Sequence, residues 1–285
     1  MAVYKEYDSV DALFDETFMD DYKVFKKSLC MRVFNKDNIP YGIPSQEIPH
    51  IKWSDLIISY SVEKKMYIDD ELGRGYYMLK NSDMNKLGIS HEQLHSDAEA
   101  NMIFKNGTRL ETIAKHVSRH NILSPIISIP QNVGMKISVS PSGRRNVRRH
   151  TLFETSQYSD VLLPETVPFL NSNTDSAEDK NDDMVVISNR TMNFAAANMF
   201  IDNTIQKIYD RFKEDFYILP VSVHEIICLK VSHALNGAST EREAEEDLID
   251  MVEQVNDKII TDDNDILSYS VYKYMHDERC TMIIN

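Results

Sequence analysis

The sequence predicts an α+β fold of two packed subdomains, each a mixed sheet flanked by helices. Three observations carry that prediction. Apolar runs of strand length fall in adjacent pairs that read as hairpins. Helices are announced by capping boxes, in which Ser or Thr is followed three residues later by Glu or Gln. The two kinds of element come in groups rather than in strict alternation, which argues against a doubly wound α/β sheet. The expected division is an N-terminal half over 1–125, a variable and partly mobile connector over 126–183, and a C-terminal β-α-β-β-α-β half over 184–285.

In the N-terminal half, Ser9 can cap a first helix with Val10, Leu13, Phe14, Phe18, Tyr22 and Phe25 as its apolar positions. Leu29–Phe34 reads as a strand. Pro40, Gly42, Pro44 and Pro49 make 35–51 a loop, because locked backbones and missing N–H donors break a helix. Asp55–Val62 alternates as a strand, and 69–75, with Gly73 and Gly75, turns it back into Tyr76–Leu79. Ser90-x-x-Gln93 then opens one helix, with Leu94, Ala98 and Met102 inward. Thr108-x-x-Glu111 opens a second, with Leu110, Ile113, Ala114 and Val117 inward.

The connector changes texture. Pro125–Val139 is strand-like with breaks at Pro130 and Gly134, and Ser138–His150 is polar and basic. Asn171–Asp183 is acidic and contains no apolar residue but Ala177, too little to bury, so it is expected to be mobile.

The C-terminal half is organised around Met184–Val231. An apolar run, Met184–Ile187, ends at Ser188-Asn189. Phe194, Ala197, Ile201, Ile205, Ile208 and Phe212 then share one helical stripe. Phe216–Leu219 reads as a strand stopped by Pro220, which cannot donate to a ladder, and Val223–Val231 resumes as a strand. Thr240-x-x-Glu243 caps a further helix that buries Ala244, Leu248, Met251, Val252 and Val255 and is acidic in its first turns, where the helix dipole favours acids. Ile266–Tyr274 and Thr281–Ile284 close the chain as strands.

Several of these segments together resemble a bacterial family known only as domain of unknown function 5688. The resemblance rests on FYILPVSVHEII (216–227), DMVEQVN (250–256) and DILSYSVYKY (265–274), with DLIISYSVE (55–63) and MLKNSDMNKLGISHEQLHSDAEANM (78–102) in the first half. The family tends to show Leu-Pro-Ser-Ser before the His-Glu pair, whereas Val221 stands here in place of the first Ser. The resemblance implies an architecture and no reaction.

Composition narrows the function classes. Over 285 residues the formal charge is −14, with 42% hydrophobic and 27% charged residues. That balance is ordinary for a soluble domain and argues against the whole surface being a nucleic-acid footprint. Cys30, Cys228 and Cys280 are scattered and odd in number, as expected of reduced thiols in a cytoplasm. No leader segment, membrane span, cofactor or metal is expected, and a phosphate loop, a dinucleotide fingerprint and a nucleophile elbow are all missing from the sequence.

Ser222, His224 and Glu225 are the candidate catalytic residues, since His and Glu do most general acid–base work. On a strand, Ser222 and His224 would share one face while Glu225 pointed to the other. A third group would have to come from elsewhere, with Asp55 or Asp83 as candidates. The plainer reading is a serine and histidine that satisfy backbone groups beside Pro220. A zinc-protease motif is excluded, because on a strand His224 and Cys228 would lie about 13 Å apart. Arg144, Arg145, Arg148 and Arg149 form the one basic cluster and, as a helix, would stack in i, i+4 pairs able to grip phosphates or an acidic surface. Asn101 and Asn189 are further binding candidates with a plainer structural reading, since a buried amide needs partners. His116 and His120 have i, i+4 metal spacing, and Asp262, Asp263 and Asp265 resemble a fragment of a calcium loop without its glycine and terminal glutamate. The leading expectation is a non-catalytic protein-interaction or regulatory module. An enzyme using Ser222 and His224 comes second, and a nucleic-acid binder through Arg144–Arg149 third.

Overall fold

Leu29–Asn35 (β2) is buried along nearly its whole length, and so is the first half of Leu56–Ile68 (β4). Strands buried on both faces in this way settle in the middle of a fold, and the polar residues they carry, Arg32, Ser59 and Ser61, are buried with them. The computed structural model describes residues 4–116, 148–151 and 183–284, apart from 15–17, 69–70, 106, 114, 192, 259, 261 and 279. The first sheet has the order β1-β5-β4-β2, with β3 also on β4; β1 is Tyr4–Glu6, β3 is His50–Trp53 and β5 is Glu71–Met78. β1 runs parallel to β5 and the other pairs are antiparallel, so the sheet is mixed.

The second sheet has seven strands in the order β6-β8-β10-β9-β11-β12-β7, every pair antiparallel. Its members are Thr108–Thr112 (β6), Arg148–Thr151 (β7), Met184–Asn189 (β8), Phe216–Ser222 (β9), Glu225–Lys230 (β10), Val271–Met275 (β11) and Cys280–Ile284 (β12). One face joins the first sheet in a common core, where Met31, Val33, Leu56 and Tyr60 meet Val185, Ile187, Ile218, Ile226 and Cys228. The other face, with Val186, Tyr217, Leu219, Ile227 and Leu229, is covered by the helix Glu241–Lys258 through Ala244, Leu248, Val252 and Val255. The α+β class therefore holds, with two sheets and flanking helices.

Helices α1 (Val10–Leu13), α2 (Tyr22–Phe25), α3 (Asn81–Leu87), α4 (His91–Lys105), α5 (Thr204–Phe212), α6 (Val231–Ala234) and α7 (Glu241–Lys258) complete the described elements, with short 3-10 turns. The Ser90 and Thr240 boxes cap as expected. Ser90 Oγ accepts the Gln93 amide at 3.2 Å, Thr240 Oγ1 accepts that of Glu243 at 3.2 Å, and Leu94, Ala98 and Met102 are buried. Helix α3 lacks a Ser or Thr cap. Instead the Asp83 carboxylate accepts the Lys80 amide at 2.8 Å, and Gly88 closes the helix in the left-handed region at φ 65°.

Several expectations are corrected. Gly73 and Gly75, expected in a turn over 69–75, lie inside β5, paired with Met66 and Lys64. The first helix is two short turns, α1 and α2, rather than one continuous helix. Thr108–Thr112 is a strand, because Leu110 and Glu111 pair with Ile187 and Val186 of β8, and sheet pairing overrides a capping box that matched only by spacing; helical residues begin at Ile113. The stripe from Phe194 to Phe212 is split into a 3-10 segment, Ala195–Phe200, and α5, with Asp202 and Asn203 between them in the left-handed region. β9 runs through Pro220: its pairing with β11 ends at Ile218 and its register with β10 shifts between Glu225 and Ile227, so no ladder bond needs an N–H at Pro220. The strand-like 125–139 and the acidic 171–182 lie outside the described residues.

Candidate functional site

β9 and β10 form a hairpin in which Ser222 faces Glu225 in register, and Val223-His224 is the two-residue turn. His224 is therefore a turn residue, and the strand alternation expected for Ser222, His224 and Glu225 does not apply to it. Ser222 Oγ accepts the backbone N–H of His224 at 3.1 Å, a local hydroxyl turn, rather than meeting the imidazole.

The imidazole is fixed on both sides. Nδ1 accepts the backbone N–H of Phe194 at 3.1 Å, which places the ring proton on Nε2. Nε2 then donates to Asp265 Oδ1 at 3.2 Å. The ring also packs on Phe194, centroid to centroid 5.1 Å. Val223 donates to the Asp265 carbonyl and accepts from Ala196, so the turn is clamped between the 3-10 segments Ala195–Phe200 and Asp263–Asp265. Neither expected third group comes to His224. Asp55 takes hydrogen bonds from Ser268, Ser270 and Tyr272, and Asp83 takes one from Tyr77 at 2.8 Å.

Glu225 turns away from His224 and meets His116, whose Nε2 lies 2.9 Å from Glu225 Oε2 and whose Nδ1 lies 3.5 Å from Glu111 Oε2. All three side chains are buried. Burial opposes a charge on His116, but hydrogen bonds and attraction from Glu111 and Glu225 outweigh it and raise the imidazole to about 9. His116 is thus held between two carboxylates as an imidazolium. His120 lies outside the described residues, and no group of three or more His, Cys, Asp or Glu among the described residues is placed to hold a metal ion.

A cleft of about 290 Å³ opens where β2, β4, β5 and α4 meet the loop after β8. It is lined by Arg74, Lys105, Arg190, Glu63, Cys30 and Asn101, among others. Glu63 is held by Arg32 and, at 3.2 Å, by Arg74, which keep its carboxyl below the usual range against the opposing effect of burial. Arg32 is itself buried, donates from Nε to Ser61 at 3.0 Å, and lies over the ring of Phe194 at 3.5 Å. Burial raises the Cys30 thiol to about 12, so it lines the cleft as a neutral group.

Both candidate asparagines brace this cleft. The Asn101 amide donates to the carbonyls of Lys26 and Leu29, fastening α4 to the start of β2. Asn189 Oδ1 accepts from the Thr191 amide and hydroxyl and from the Asn193 amide, and its Nδ2 donates to the Asn193 carbonyl. The loop that carries Arg190 is thereby folded around one side chain.

Of the arginine cluster, Arg144 and Arg145 lie outside the described residues. Arg148 and Arg149 belong to β7, an edge strand paired with β12, so the helical i, i+4 stacking expected of them does not form. The cleft brings together Arg74, Lys105 and Arg190, which sequence reasoning did not connect. Those residues are isolated charges on three separate elements, and no spacing rule links them. Asp262 caps the turn Asp263–Asp265 by accepting the Asn264 amide at 2.9 Å, and Asp265 is bound to His224, which accounts for the apparent calcium-loop fragment.

These observations can be set against known proteins. Residues 138–276 match the model of a family of unknown function, DUF5688. The match takes in all of β8, α5, β9, β10, α7 and β11, and with them the His224 turn, Asp265 and Arg190; the similar stretches at 55–63 and 78–102 lie outside it. No curated protein and no solved structure matches the chain. No helix among the described residues is long and apolar enough to cross a membrane.

Proposed function

We propose that the protein acts by binding rather than by catalysis, as a protein-interaction or regulatory module. The observation that supports this most is the state of His224. A general base needs a ring nitrogen with a lone pair directed at a substrate proton. Here Nδ1 is taken by the Phe194 amide, Nε2 is turned to Asp265, and the Ser222 hydroxyl serves a backbone amide. The thiol in the cleft is held neutral, so it offers no thiolate nucleophile. What remains exposed to solvent around the cleft is charge suited to recognition.

The test is affinity capture followed by reconstitution. The partner captured from a host lysate is purified and titrated against the parent protein and against Ser222→Ala. A saturable, stoichiometric complex with the same affinity for both is the expected result. Incubating the purified protein with a metabolite extract supplies the opposing outcome: turnover of any component that disappears in Ser222→Ala would replace the binding module with an enzyme.

A further inference from the structure

We infer that the cleft between β4, β5, α4 and the loop after β8 is a binding site for the phosphoryl group of a small molecule, held by Arg74, Lys105 and Arg190. The inference deepens the reading of the protein as a binding module, because the site needs recognition and no chemistry.

The charge balance comes first. The chain is acidic overall, yet this cleft gathers Arg74, Lys105 and Arg190 on its walls and Arg32 behind them, against one carboxylate, Glu63. Glu63 is already matched, since Arg32 and Arg74 both hold it. Lys105 and Arg190 have no carboxylate within ion-pair distance among the described residues, and both are largely exposed to solvent at the rim. An excess of positive charge that the protein's own acids do not neutralise, in a chain with a surplus of acids, is what an anionic ligand would complete.

The geometry narrows the ligand. The three cations that line the cleft come from three separate elements: a strand, a helix C-terminus and a loop. A tetrahedral oxyanion presents oxygens in several directions, whereas a carboxylate presents two in one plane. Arg74 spends one Nη1 bond on Glu63 and retains further N–H donors in its fork, and Ser28 also lines the cleft. The Asn101 amide is committed to two backbone carbonyls, so it shapes the wall rather than donating to a ligand. A volume of about 290 Å³ lies at the small end of ligand pockets, which span roughly 300–1,000 Å³, and suits a phosphate or small phosphomonoester better than a dinucleotide. Although Lys105 reaches solvent, partial desolvation by the cleft wall lowers its pKa, and a bound dianion would oppose that shift.

The experiment is calorimetric titration of the full chain, at constant ionic strength, with inorganic phosphate, glycerol phosphate and, as a control, sodium chloride. Arg190→Ala and Lys105→Ala are suitable variants because both side chains sit at the exposed rim, and Arg242→Ala, on an exposed helix face, is the control. Saturable phosphate binding, weakened about tenfold or more by each rim variant and unchanged by Arg242→Ala, is expected. Tighter binding of glycerol phosphate than of phosphate would identify an ester as the ligand, and equal binding the free ion. Heats no different from those of sodium chloride, or binding unaffected by either rim variant, would overturn the site. Binding accompanied by release of phosphate from the ester would leave the site standing and overturn the non-catalytic reading instead.

Discussion

Phe194 gives its backbone N–H to Nδ1 of His224 at 3.1 Å and offers its ring to Arg32 at 3.5 Å, so one residue ties the hairpin turn of the second sheet to a buried arginine of the first. Phe194 adopts φ 50°, a left-handed backbone that is costly for an aromatic residue and that the surrounding bonds must hold in place.

Replacing His224 with Ala removes the acceptor for the Phe194 amide and the donor to Asp265. A loss of about 1–3 kcal/mol is expected, or about 2–4 °C in Tm per kcal/mol for a chain of this size. His224→Asn can still present an oxygen near the Nδ1 position and is expected to recover part of that loss. Thermal melts of the two variants check this, and an alanine variant as stable as the parent would contradict it.

Arg32→Met keeps much of the apolar bulk but leaves Glu63 in a buried setting with Arg74 alone. Removing one partner of a buried pair costs about 3–5 kcal/mol. Arg74→Met should cost less, because Arg74 is 31% exposed where Arg32 is 2% exposed, and water can replace it. Urea unfolding of both variants measures the difference.

Asp55, between β3 and β4, receives the Tyr272 hydroxyl and those of Ser268 and Ser270, and so bonds the two sheets together. Burial first, then Asp55, pushes the Tyr272 phenol well above its ordinary range, so it stays protonated and donates. Tyr272→Phe should destabilise the protein by about 1.5–3 kcal/mol, the range for a hydrogen bond to a charged group. Chemical denaturation of that variant is the measurement.

Stability should fall on the alkaline side of neutrality. His116 is raised to about 9 in the folded protein from an ordinary value of 6.5, so its contribution is complete below about 6.5 and is lost as pH climbs through 9. Glu6, raised to about 7 chiefly by burial, acts with the same sign at lower pH, favouring the folded state while it is protonated and losing that contribution between 4.5 and 7. The His116 contribution is on the order of 3 kcal/mol. In His116→Gln the decline between pH 6.5 and 9 should flatten, and Tm measured across that range tests it.

Features that depend on neighbours a few residues away are legible in the chain. Ser90 and Thr240 start helices because the hydroxyl and the amide it caps are three positions apart. Leu94, Ala98 and Met102 face inward because they are four positions apart, about one helical turn. The α+β class follows from such local signals added together. Thr108-x-x-Glu111 carries the same local signal and is a strand, because β8 is present to pair with it.

The side-chain clusters are set by long-range packing, because each is assembled from residues far apart in the chain. His224 could be picked out by type, but its role depends on Phe194 and Asp265, 30 and 41 positions away. Glu225 could be picked out as an acid facing away from Ser222, while its partner His116 lies 109 positions away. Arg74, Lys105 and Arg190 carry no mutual spacing at all, and they converge only when the sheets share a core and Asn189 folds the loop beside α4. Local periodicity reports which face of an element is apolar; which charges then stand opposite one another is set by long-range packing, which short-range spacing does not encode.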